Sequence, residues 1–125
     1  MIHDRLSEQI IASAFEVHNA LGSGFLEKVY ENAMVIALRK RGLSVVQQCP
    51  LPVYYENQIV GDYYADLMVE ELLIVELKAV EKIYPIHEVQ LVNYLQSARI
   101  EVGLLINFGS SVDVKRRYRT LKGRT

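Results

Sequence analysis

The run Leu72-Leu73-Ile74-Val75-Glu76-Leu77-Lys78-Ala79-Val80 limits the fold more than any other part of the chain. Side chains on a strand alternate between faces, so Leu73, Val75, Leu77 and Ala79 form one wholly apolar face. The other face carries Leu72, Ile74, Glu76, Lys78 and Val80, which is not the composition of a solvated surface. Such a strand belongs in the middle of a sheet, covered on both sides. Ionised groups there are costly unless they are paired or bound to a metal. Asp66 stands ten residues before Glu76, on the preceding arm of a hairpin that turns at Glu70-Glu71. Antiparallel pairing sets it roughly opposite residues 75–77. Two carboxylates and a lysine meeting at one strand end read as a metal-dependent hydrolytic site. The plainer reading is a structural ion pair of Lys78 with Glu76 or Asp66, an arrangement that rarely adds net stability.

The remaining segments supply a frame for that strand. Leu6, Ile10, Ala14, Val17 and Leu21 recur at helical spacing over residues 5–21, and Gly22 is placed to stop the helix. A second helix is expected from about Leu26 to Arg41, burying Val29, Ala33, Ile36 and Ala37 or their neighbours, and ending at Gly42. Strands follow from Val45, with Pro50 and Pro52 suited to a sheet edge, and the segments 51–55 and 58–69 turn around Glu56-Asn57. Pro85 opens a third helix, 86–99, expected to bury Val89, Val92 and Leu95. Val102 to Asn107 is another apolar strand, and a candidate terminal strand starts at Val112. Strand 72–80, helix 86–99 and strand 102–107 form a crossover that implies a parallel pair. The expected class is therefore α/β, a mixed sheet with helices on both faces.

At 125 residues, half of them hydrophobic, the chain suits one domain over 1–125. Residues 1–114 carry 8 basic against 15 acidic residues, whereas 115–125 carry 6 basic residues (Lys115, Arg116, Arg117, Arg119, Lys122, Arg124) and no acid. That basic end is the evident candidate for phosphate contact, beside the reading of a solvated terminus. Cys49 is the one cysteine, which excludes an intrachain disulfide, and an inert buried thiol is expected. Glu8 and Glu16 interrupt the first apolar stretch, and no apolar run reaches membrane-spanning length, so a cytoplasmic protein without membrane contact is expected.

Asp66 with Glu76-x-Lys78 resembles the motif of the PD-(D/E)xK nuclease superfamily, with Ala65 where the motif has proline. Gly24-Phe25-Leu26-Glu27-Lys28-Val29-Tyr30 resembles the signature of the GxxExxY family within that superfamily. The likeness continues through His18-Asn19-Ala20-Leu21-Gly22 and Ile106-Asn107-Phe108-Gly109. The resemblance implies a restriction-endonuclease-like three-layer α/β/α fold around a central mixed sheet. It also implies Glu27 as an extra acidic group at the metal site, and Tyr30 one turn along the same helix face as a residue lining it. Gln90-x-x-x-Tyr94 resembles the RecB-type motif that positions substrate. Plainer readings stand beside these: Glu27 favours a helix dipole, Tyr30 packs, and Gln90 and Tyr94 form the polar edge of an amphipathic helix. His87 and His18 are expected to be structural, His18 being the better candidate for a site.

The implied chemistry is in-line hydrolysis of a phosphodiester in DNA or RNA by a metal-bound water. Asp66 and Glu76, with Glu27 at a second position, would hold Mg²⁺ or Mn²⁺. Lys78 would orient or deprotonate the water, or stabilise the developing charge; burial and neighbouring carboxylates pull its proton affinity in opposite directions. The acidic body argues against a broad duplex-binding face, and one short domain leaves a homo-oligomer or protein partner to supply target recognition. The competing reading is a nuclease-fold module that binds nucleic acid or a protein without cutting.

Overall fold

The computed structural model describes residues 2–119, and the apolar run lies at its centre. The chain runs α1 (Asp4–Leu21), α2 (Glu27–Lys40), β1 (Val45–Tyr55), β2 (Gln58–Val69), β3 (Leu73–Lys78), α3 (Pro85–Ala98), β4 (Val102–Phe108) and β5 (Val112–Tyr118). The five strands lie in the order β1-β2-β3-β4-β5. β3 and β4 are parallel, joined by the α3 crossover, and the other pairs are antiparallel. Leu73, Val75 and Leu77 pack on Ile10, Ala14 and Val17 of α1 and on Tyr30, Met34 and Leu38 of α2. Ile74, on the reverse face, packs with Leu91, Tyr94 and Leu95 of α3. The result is a mixed sheet between two helical layers, as the crossover argument requires. Among the described residues no helix is long and apolar enough to cross a membrane.

Both later helices keep part of the expected face, Ala33 and Ala37 on α2 and Leu95 on α3, and are turned from the rest of it. α2 buries Tyr30, Met34, Val35 and Leu38, while Val29 and Ile36 are exposed. α3 buries Leu91, Tyr94 and Leu95, while Val89 is exposed. Each helix has two overlapping apolar stripes, and one residue of offset turns a helix by about 100°. The choice is made at the helix starts. Tyr30 donates its hydroxyl to the Gly22 carbonyl at 2.6 Å and stacks on Phe108 at 4.5 Å, which turns α2. At α3, Pro85 fixes the first turn and the Tyr84 N–H donates to His87 Nδ1 at 3.1 Å.

β1 lies at a sheet edge, where Pro50 and Pro52 remove no ladder bond to a further strand. It also departs from simple alternation. Val45 packs toward α1 and α2, yet Cys49 and Leu51 pack toward α3. On β2, Ala65 faces α3 and Leu67 the opposite layer. Both strands therefore change faces at the same rung, where Gln48 lies opposite Asp66. Gln48 has φ 53°, left-handed backbone unusual for a residue other than glycine. β5 supplies the other edge, and its two arginines and the adjacent Arg119 have partners within the chain. Arg116 reaches Ser7 at 2.6 Å and Asp4 at 3.3 Å, Arg117 pairs with Glu88, and Arg119 reaches Glu101 at 2.6 Å. These three side chains of the expected phosphate-binding segment thus have acidic partners in the chain; Lys122 and Arg124 lie outside the described residues.

Candidate active site

The β2–β3 ladder runs from Val69↔Leu73 to Leu67↔Val75 and then opens. At the next rung the two carboxylates stand in for the missing ladder bonds. The Asp66 N–H donates to Glu76 Oε1 at 3.1 Å, and the Leu77 N–H donates to Asp66 Oδ2 at 2.8 Å. Asp66 also accepts from Gln48 Nε2 at 3.3 Å, across the rung at which β1 and β2 change faces. The opening of the ladder thus places two acidic side chains, one from each strand, at a single point near the sheet's centre.

Their electrostatics follow from that placement. Glu76 is 8 % exposed, and burial, then the charge of Asp66, pushes its carboxyl up to about 9. Burial also raises Asp66, against the Leu77 N–H bond, which lowers it, and with Glu31, which raises it further. Glu27, in the first turn of α2, is raised by burial and by Asp66, while Lys78 pulls it down. Lys78 ends β3 half-buried, and the charges of Glu27 and Glu76 reach it. Negative charge is concentrated here beyond what the neighbouring cations offset, and a bound cation would relieve it.

Asp66 and Glu76 are the pair able to hold such a cation. Among the described residues, no three His, Cys, Asp or Glu side chains are gathered into one cluster, and Glu27 is tied to the pair through the charge of Asp66. The donor set still fits Mg²⁺, which is held through one or two carboxylates and keeps several waters.

The other expected residues fall differently. Tyr94 is buried at the core face of α3 and near the carboxylates: burial, Glu76 and Asp66 push its phenol up to about 12. Gln90, exposed on the same helix, lines a groove with it. Tyr30 is fully buried and spends its hydroxyl on the Gly22–Phe25 corner, so it has no surface to offer a substrate. His18 donates Nε2–H to the Gly109 carbonyl at 2.9 Å and stacks on Phe108, a structural role. Burial pushes the Cys49 thiol up, in keeping with an inert group.

Three contributors went unread in the sequence. Glu31, 2 % exposed, accepts from Lys28 Nζ at 2.8 Å, Gln47 Nε2 at 2.5 Å and Gln48 Nε2 at 2.9 Å. Gln48 thereby ties Glu31 to Asp66. Glu31 follows Glu27 by four residues, a helical spacing that marks a shared face. Asn107, opposite Lys78 in the parallel pair, clamps Val80 with both amide atoms: Oδ1 accepts from its N–H at 2.9 Å and Nδ2 donates to its carbonyl at 2.8 Å. That clamp fixes the chain immediately beyond Lys78.

Comparison with known proteins identifies the family and the fold. A family model described as the PD-(D/E)XK nuclease superfamily matches residues 4–120. The crystal structure of SSO0001 superposes with a TM-score of 0.56 at 14% identity, over 96% of this chain and 61% of that one, so this chain spans under two thirds of its length. An alkaline exonuclease from Laribacter hongkongensis, LHK-Exo, superposes with a TM-score of 0.50 at 10% identity, over 91% of this chain and 82% of that one. No curated protein matches the sequence.

Proposed function

We infer that this chain, which belongs to the PD-(D/E)XK nuclease superfamily, is a divalent-metal-dependent nuclease that hydrolyses phosphodiester bonds in DNA or RNA. The observation that carries the reading is the pair Asp66 and Glu76, two desolvated carboxylates set against each other where the β2–β3 ladder opens. Capping two backbone N–H groups does not require two carboxylates side by side, and burying the pair is unfavourable until a cation arrives. Mg²⁺ or Mn²⁺ held there would neutralise phosphate oxygens and lower the pKa of water.

The chain's own groups do the rest. Asp66 keeps its orientation because the Leu77 N–H and Gln48 hold both of its oxygens. Lys78, steadied by the Asn107 clamp on Val80, sets an ammonium beside the carboxylates. There it donates to the attacking water and stabilises charge building on the phosphoryl oxygens. Glu27, across from Lys78, orders that water and balances the lysine charge. Gly24 to Tyr30 supports placement in the GxxExxY branch, where Tyr30 serves by holding the corner from which Glu27 projects.

The test is cleavage of labelled single- and double-stranded DNA and RNA with Mg²⁺, Mn²⁺ or EDTA, comparing wild type with Asp66→Asn and Lys78→Ala. Metal-dependent cutting that both substitutions abolish is the expected result. The engagement of Arg116, Arg117 and Arg119 within the chain favours a second reading, a module that does not cut. Wild type that neither cuts nor binds divalent metal would establish that one.

A further inference from the structure

Beside the carboxylates, between the far half of the β1–β2 hairpin and α3, lies a groove of about 520 Å³. It falls within the ~300–1,000 Å³ usual for small-molecule sites. Tyr94 lines it, shares a core cluster with Ala65, the residue before Asp66, and lies within reach of the charges of Glu76 and Asp66. The groove therefore starts next to the carboxylate pair. Tyr63, 49% exposed, lies over Tyr94 with ring centroids 5.6 Å apart and tilted by 42°. Ile86 and Val89, both more than half exposed, continue the apolar side. Gln90, Asn93 and Gln96 supply the polar side, and no charged side chain lines the groove.

The geometry points to this groove as a slot for one unpaired nucleobase of a single-stranded substrate whose adjoining phosphate lies at Asp66 and Glu76. The inference rests on the nuclease reading and names its substrate class. A base is a flat neutral ring that stacks on tyrosine and presents donors and acceptors at its edges, which the amides can meet. A phosphate would require cations, and the slot has none. A base inside a duplex is held between its neighbours and cannot enter without being extruded, which costs a few kcal/mol. The engagement of Arg116, Arg117 and Arg119 within the chain points the same way. With these three guanidiniums held by acidic partners, fewer cations are left to neutralise a duplex backbone, and stacking carries a larger share of the affinity.

The experiment is fluorescence anisotropy with short labelled single-stranded DNA, single-stranded RNA and blunt duplex DNA. Ca²⁺ replaces Mg²⁺ in the binding arm, and cleavage with Mg²⁺ is scored separately. Wild type is compared with Tyr63→Ala, Tyr63→Phe and Asn93→Ala, each checked for an unchanged thermal midpoint. Single strands should bind more tightly than duplex, and Tyr63→Ala should weaken them about 10-fold while Tyr63→Phe stays near wild type. DNA or RNA as the preferred strand supports the slot equally. Duplex binding as tight as single-strand binding, unchanged affinity in Tyr63→Ala, or no single-strand binding at all would overturn it. Tyr63-dependent binding without Mg²⁺ cleavage would instead remove the nuclease reading and keep the slot; duplex cleavage indifferent to Tyr63→Ala would do the reverse.

Discussion

Replacing Glu76 with Gln should stabilise the metal-free protein at neutral pH while abolishing catalysis. In the folded chain, burial and Asp66 push the Glu76 carboxyl from its ordinary 4.5 up to about 9. Between those values the folded state binds a proton that the unfolded state releases, so stability falls as pH rises through the window. Each pH unit costs about 1.36 kcal/mol, which makes the penalty about 3 kcal/mol near pH 7. Gln removes this penalty because it does not titrate. Its carbonyl can still accept the Asp66 N–H, and its amide can face the Asp66 carboxylate. A gain of about 2–3 kcal/mol corresponds to roughly 8–12 °C in Tm for a chain of this size. The assay is thermal unfolding in EDTA across the pH range. The two proteins should coincide near pH 4, where both side chains are neutral, and diverge steadily above about pH 5. Mg²⁺ should then close the gap by stabilising only the wild type, by about 2.7 kcal/mol at a hundredfold excess over Kd. A variant no more stable than wild type at neutral pH, or a difference that does not change with pH, would refute the reasoning.

Other substitutions probe the surroundings. Asn107→Ala leaves the Val80 N–H and carbonyl without partners and should cost about 1–3 kcal/mol by denaturant unfolding, with a larger loss in kcat than in KM because Lys78 is no longer steadied. Gly109→Ala would bring a Cβ to 3.1 Å from the Val80 carbonyl, so Tm should fall and activity with it. Glu31→Ala strips Lys28, Gln47 and Gln48 of their shared acceptor and should cost about 1–3 kcal/mol of stability by denaturant unfolding. Arg117→Ala should leave nucleic-acid affinity and its salt slope unchanged, since that guanidinium is held by Glu88; a salt slope reduced by about one would show a phosphate contact instead.

The central strand, the hairpin before it and the crossover after it were legible because their signals are local: alternation, a proline at a helix start, glycines at helix ends. So was the meeting of Asp66 with Glu76, which needs only a short turn. The buried faces of α2 and α3 were legible only in part. A helix with two apolar stripes is oriented by distant partners, as Tyr30 is by Phe108 and Gly22. Glu31 and Gln48 escaped for a different reason. Their meeting depends on a backbone turn at Gln48 that no glycine announces. The ion pairs of Arg116, Arg117 and Arg119 were not legible because charge counting cannot see that Asp4, Glu88 and Glu101 lie within reach.

The paired change of faces at Gln48 and Asp66 divides the hairpin into two segments with separate duties. On the side of the rung nearer β3, Val45, Leu67 and Val69 are committed to the layer of α1 and α2, while on the far side Leu51 and Ala65 answer to α3. Beyond the rung β2 pairs only with β1, and the two close on each other at Tyr55 and Gln58. A lineage could lengthen, shorten or replace that outer arm in matched pairs of residues and keep the carboxylates in place. Substrate preference could then drift by exchange of the arm, with the hydrolytic centre inherited unchanged.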